Sequence, residues 1–215
     1  FPTRRSSDLT AEEYNGSSWT NGGNMGTARY RLAGNGTQTS ALATRGFAPS
    51  PVSQTNITEE YDGSSWTGGG NNVITGSSSC STGTQTAGLN WGGAPNLSSS
   101  QEYNGSSWTA GNTLNTGRSG SGGAGTQTSG LAFGNTTATE TYNGTSWTSV
   151  NSLSNSALSG NGALQTAAIA VAGPGVTETW DGTNWTSTGV SVAVPRGDGI
   201  FVVGTTAAAL KFGGN

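Results

Sequence analysis

One short string returns five times along this chain, and no other feature constrains the fold as much. It reads EEYNGSSWT ending at Thr20, EEYDGSSWT at Thr67, QEYNGSSWT at Thr109, TETYNGTSWT at Thr148 and TETWDGTNWT at Thr186. Its tryptophans, Trp19, Trp66, Trp108, Trp147 and Trp185, are spaced by 47, 42, 39 and 38 residues. A second string alternates strictly with the first: GTQTSALATRG from Gly36, GTQTAGLNWGG from Gly83, GTQTSGLAFGN from Gly125, ALQTAAIAVAG from Ala163 and GTTAAALKFGG from Gly204. Self-similarity at such a period marks a stack of supersecondary units, none of which buries its own core alone.

Each string has a physical reading. Asn-Gly and Asp-Gly supply the positive φ angles of a type I′ turn. The first string is therefore predicted to be a hairpin carrying Tyr14, Asn15, Gly16 and Trp19 in its first copy. In the second string Leu42, Leu89, Leu131, Ile169 and Leu210 form one column. Two residues on stand Thr44, Trp91, Phe133, Val171 and Phe212. Period two places both columns on one face of a strand. Small-residue stretches before it, such as 77–82 and 119–124, read as a further strand. Two hairpins in roughly 40 residues make one four-stranded propeller blade.

The expected fold is all-β: a five-bladed propeller with four antiparallel strands per blade. The chain starts on the first string and ends on the second, so neither end holds a whole blade. In a circular count from Thr10, Trp185 and Trp19 lie 40 residues apart, inside the observed spacings. A composite blade is therefore expected to close the ring, with strands at 10–15 and 17–20 pairing outside 201–203 and 205–212. The narrow centre of such a ring needs small side chains. Arg29, Tyr30, Arg31 and Leu32 depart from that in the first unit.

Composition supports order and narrows the partners. Only 9% of the residues are charged and 37 are Gly, but the aromatics recur at fixed spacings, unlike a disordered chain. The net charge of −3 and the absence of a basic cluster argue against a nucleic-acid partner. No run approaches the roughly 18 apolar residues of a membrane span. The single Cys80 leaves no internal disulfide to form. Residues 1–9, FPTRRSSDL, match nothing later and resemble a translated sequencing-adapter scar from a metagenomic assembly. They are set aside from 10–215, and the native N-terminus stays undefined.

The pattern of a small or apolar strand, Gly-Gly, Glu-x-Tyr-Asn/Asp-Gly and Trp resembles kelch repeats. It is closer still to the short kelch-like repeats of uncultured marine phages, and the resemblance runs from Thr10 to Asn215. It implies a virion or extracellular setting: a tail fibre, a receptor-binding tip or capsid decoration. The implied partners are host-surface glycans or other virion proteins, with the propeller itself monomeric. A free multivalent lectin is the alternative, and a five-bladed glycoside hydrolase relative the remote one.

Chemistry is sparsely supplied. There is no histidine, which removes the usual triads and most zinc or copper sites. Of eleven acidic residues, Asp8 lies in the leader, Asp198 stands outside the repeat, and the rest follow the first string. A glycosidase needs different acids converging from different blades, so no enzymatic activity, cofactor or metal is expected. The repeated positions Glu12, Glu59, Gln101, Glu140 and Glu178, and Gln38, Gln85, Gln127 and Gln165, read as structural. The five anchor tryptophans read as inter-blade packing. Candidate ligand contacts come from what differs between units: Arg45 and Phe47 at the insertion 46–56, and Arg196 and Asp198 in 190–199.

Overall fold

The computed structural model describes residues 9–49, 52–172, 175–191, 200–204 and 206–213; at 52, 158–159, 200–204 and 210–213 only the backbone is described. Among the described residues there are 22 β-strands and no helix. The chain opens with a hairpin, β1 (Glu12–Tyr14) and β2 (Trp19–Asn21). The first four-stranded meander is β3 (Ala33–Thr37), β4 (Ser40–Thr44), β7 (Thr58–Tyr61) and β8 (Trp66–Gly68), interrupted by a small hairpin, β5 (Phe47–Pro49) and β6 (Val52–Gln54). The second is β9 (Cys80–Thr84), β10 (Ala87–Trp91), β11 (Ser100–Tyr103) and β12 (Trp108–Ala110). The third is β13 (Gly122–Thr126), β14 (Ser129–Phe133), β15 (Thr139–Tyr142) and β16 (Trp147–Val150). The fourth is β17 (Ala157–Leu164), β18 (Ala167–Ala172), β19 (Val176–Trp180) and β20 (Trp185–Ser191). A last hairpin follows, β21 (Ile200–Gly204) and β22 (Ala209–Gly213).

Successive first strands lie side by side: β3 beside β9, β9 beside β13, β13 beside β17, and β17 beside β21. Between the third and fourth meanders this neighbourhood becomes a parallel ladder, Gly123↔Asn161 and Ala124↔Gly162, which fuses them into one eight-stranded sheet. Such close approach explains the small residues. A Cβ on Gly123 would stand 2.4 Å from the Trp91 ring and 2.8 Å from Cys80 Sγ. The hydrophobic core lies between meanders, not within them: Leu89 and Trp91 of the second pack with Ala132, Tyr142 and Trp147 of the third.

Three expectations are corrected in detail. The Asn-Gly hairpins are not two-residue type I′ turns. Tyr14 pairs directly with Trp19, leaving a four-residue loop in which only Gly16 takes a positive φ, of 95°. The side chain sets that geometry, because Asn15 Oδ1 accepts from the N–H groups of Ser17 and Ser18 at 2.9 Å each. This competes with the shorter turn. Second, Arg29 to Leu32 lie outside the first strand of their meander, which starts at Ala33. Third, β1–β2 and β21–β22 stand as separate two-stranded sheets, and no pairing joins them among the described residues.

Candidate functional site

The repeated polar residues sit at the joints between meanders. Trp108 Nε1 donates to Thr58 Oγ1 at 2.9 Å, Trp147 Nε1 to Ser100 Oγ at 3.3 Å, and Trp185 Nε1 to Thr139 Oγ1 at 2.8 Å, each reaching back one meander. For Trp66 the equivalent position is Ala11, which carries no hydroxyl, and the buried Trp66 Nε1 has no partner among the described residues. Tyr61 donates to Glu13, Tyr103 to Glu60, and Tyr142 to Glu102 across the same joints. At the next joint both members change together: Thr141 stands where glutamate is expected, and Trp180, which has no hydroxyl, stands where tyrosine is expected.

The glutamines form a third clamp. Gln85 Nε2 donates to the carbonyls of Ala41 and Tyr61, Gln127 Nε2 to Gly88 and Tyr103, and Gln165 Nε2 to Gly130 and Tyr142, at 2.6–3.2 Å. Gln38 makes one of these two bonds, to the Tyr14 carbonyl at 3.2 Å.

The second acidic column holds the segment that leads into each meander. Glu140 accepts from Asn115 N, Asn115 Nδ2, Thr116 N and Arg118 Nη2. Glu59 accepts from Gly26 N and Arg29 Nη2, and Glu178 from Ser154 N and Asn155 N. Gln101 does the same with one oxygen, taking Val73 N and Ile74 N. The two ion pairs, Arg29–Glu59 at 2.5 Å and Arg118–Glu140 at 2.7 Å, are almost wholly enclosed. Burial lowers the pKa of both guanidiniums, and the facing carboxylates oppose that shift.

The residues singled out as ligand contacts fall in different places. Arg45 is fully enclosed, with Nε donating to Ile74 O at 3.2 Å and Nη1 to Gly92 O at 2.8 Å. Its guanidinium is not presented at a surface. Phe47 is half-buried and stacks on the exposed Tyr30, centroids 5.4 Å apart at 18°, beside exposed Arg31. This patch belongs to the first meander's insertion. Arg196 and Asp198 lie outside the described residues.

Sequence reasoning missed Arg29 and Arg118 as buried ion-pair partners. The signal was present: each stands seven residues before a repeat glycine, Gly36 or Gly125. Among the described residues no group of three or more His, Cys, Asp or Glu gathers to hold a metal ion. The asparagine and aspartate turn residues at the hairpin tips accept their own loop's N–H groups. Asp62 is held down to about 2 chiefly by the N–H of Ser65, with the Ser64 hydroxyl and N–H adding to it. In comparisons with protein families and with curated proteins, no family matches the chain and no curated relative is found.

Proposed function

We propose that the chain closes into a five-bladed propeller and acts as a non-catalytic binding or structural module. The virion setting is the one its kelch-like resemblance implies, as a tail-fibre, receptor-binding or decoration element. The observation that carries the non-catalytic reading is the fate of the carboxylates. Glu13, Glu60 and Glu102 are bound by tyrosine hydroxyls, Glu59 and Glu140 by arginines, and Glu178 by backbone N–H groups. A carboxylate committed in this way is spent on joining sheets and is poorly placed to transfer protons to a ligand.

Closure is supported by equivalence. The β1–β2 hairpin meets the first meander as each meander meets the next, through Glu13 with Tyr61 and Gln38 with Tyr14. At the other end β21 lies beside β17, as β17 lies beside β13. The two hairpins thus hold the outer and inner halves of a fifth blade. Their union would give Gln38 its second carbonyl, that of Ala209. It would also give Trp19, now 66% exposed, the Thr177 hydroxyl. Ligand contact is assigned to the Tyr30–Phe47 patch with Arg31. The other meanders carry no hairpin like β5–β6 among the described residues, which argues for one recognition site rather than the equivalent sites of a multivalent lectin.

The test pairs a glycan array with a panel of chromogenic glycosides. Weak binding lost in Phe47→Ala, with no turnover, is expected. Turnover abolished by Asp198→Asn would overturn the reading, as would several equivalent sugar sites that survive Phe47→Ala.

A further inference from the structure

The second meander breaks the repeat at one point in four ways. Where Arg29 and Arg118 stand in the first and third meanders, it has Gly76. Where they have Glu59 and Glu140, it has Gln101. Opposite that residue the other meanders place Ala43, Ala132 and Ala170, and the second places Asn90. Finally, Arg45 of the preceding meander reaches in from outside.

Arg45 takes over the missing arginine's bonds. Its Nη1 donates to the Gly92 carbonyl, as Arg29 Nη1 donates to the equivalent Arg45 carbonyl. Its Nε donates to the Ile74 carbonyl, as Arg118 Nε donates to the equivalent Thr116 carbonyl. Gly76 makes room, since a Cβ there would sit 3.2–3.4 Å from the guanidinium. By the same correspondence Gln101 stands at the position where Glu59 and Glu140 receive Arg29 Nη2 and Arg118 Nη2.

The guanidinium meets an amide there and no carboxylate. Arg45 Nη2 and Gln101 Nε2 are both buried donors without a hydrogen-bond partner among the described residues. Arg45 belongs to neither ion pair. Burial alone pulls it down to about 10, so it stays charged at neutral pH. A desolvated cation without a counter-charge is costly, and two orphaned buried donors call for an acceptor.

We propose that a monovalent inorganic anion, of the halide class, binds between Arg45 Nη2 and Gln101 Nε2 and supplies the charge that Glu59 and Glu140 supply elsewhere. Asn90, paired with Gln101 across the ladder, holds a third orphan, a buried Oδ1 without a partner among the described residues, while its Nδ2 donates to Ser79 Oγ. Exchanging the two amide atoms satisfies both: the Ser79 hydroxyl then donates to Oδ1, and Nδ2 turns toward the anion as a third donor.

The test uses the whole chain and chloride itself. Thermal unfolding is followed at constant ionic strength while sodium gluconate, too bulky to enter, is replaced by sodium chloride. The wild type is expected to gain several degrees in Tm, saturating with chloride, as for any ligand that binds the folded state alone. Gln101→Glu, which installs the carboxylate of the neighbouring meanders, is expected to lose that response while melting at least as high in gluconate as the wild type does in chloride. A bromide-soaked crystal should give an anomalous peak at the two nitrogens. Equal chloride responses in the two proteins would overturn the proposal, as would no response in either, or a bromide-free site bridged by Asn90 Oδ1 alone.

Discussion

Replacing Glu140 with Gln isolates the term that holds the third meander to its lead-in segment. Both oxygens of Glu140 are saturated: Oε1 by Thr116 N and Arg118 Nη2, Oε2 by Asn115 N and Nδ2. Glutamine retains an oxygen for the two backbone N–H groups, as Gln101 does for Val73 and Ile74. What it loses is the charge facing Arg118. Both side chains are 0% exposed, so solvent screening does not soften the loss. Removing one partner of a buried pair costs about 3–5 kcal/mol, a large share of a domain stability of about 5–15 kcal/mol. In urea, with a slope of about 1–3 kcal/mol per molar, the midpoint should fall by about 1–5 M. Arg118→Met added to Glu140→Gln removes the orphaned cation, and the double variant should unfold at higher urea than Glu140→Gln alone. A loss of less than about 1 kcal/mol in Glu140→Gln, the size of an exposed pair, would refute the reasoning, as would strictly additive effects in the double variant.

Other outcomes follow from single contacts. Ala11→Thr should raise stability by about 1 kcal/mol, the net worth of one hydrogen bond, because it offers Trp66 Nε1 the hydroxyl that Thr58, Ser100 and Thr139 offer the other tryptophans; chemical denaturation checks it. Cys80 is half-buried as a residue, but its Sγ points inward between β9 and β13, and burial pushes the thiol up to about 12. At pH 8 it should react with Ellman's reagent only at the rate of unfolding. Asp62, held at about 2 when folded and about 3.9 when unfolded, favours the folded state above the unfolded value. That contribution disappears as pH falls through 2. A carboxyl titration by NMR should find the low midpoint, and Asp62→Asn, the residue at three of the equivalent tips, should remove that part of the acid sensitivity.

Much of the architecture was legible because the repeat states it five times. Leu89, Leu131 and Trp91 are fully buried, as the period-two columns require, and the four complete units fold as four-stranded antiparallel meanders. The turn type was misread because propensity for Asn-Gly concerns backbone angles, whereas here the Asn side chain captures two N–H groups and enlarges the loop. The strand before each repeat glycine was placed too early. Segment 77–79 is rich in small residues like a strand, yet β9 starts only at Cys80, and Ser78 N donates to the Arg31 carbonyl and not to a ladder partner. Arg45 was assigned to a loop surface because it precedes an insertion, and nothing local shows that its guanidinium fills a space opened by Gly76, 31 residues away.

The central claim is that one chain seals its own ring. In the meanders Glu59 pairs with Ala43, Gln101 with Asn90, Glu140 with Ala132 and Glu178 with Ala170. The same register in a fifth blade sets Glu12 opposite Lys211. Opposed residues of an antiparallel pair have Cα atoms about 4.5–5.5 Å apart, within disulfide range. Glu12→Cys combined with Lys211→Cys, oxidised at low protein concentration, should therefore yield an intramolecular disulfide in a monomer, identified by non-reducing electrophoresis and mass spectrometry. Free thiols at positions 12 and 211 after oxidation, with the native thiol of Cys80 set apart, or a disulfide-linked dimer, would contradict it.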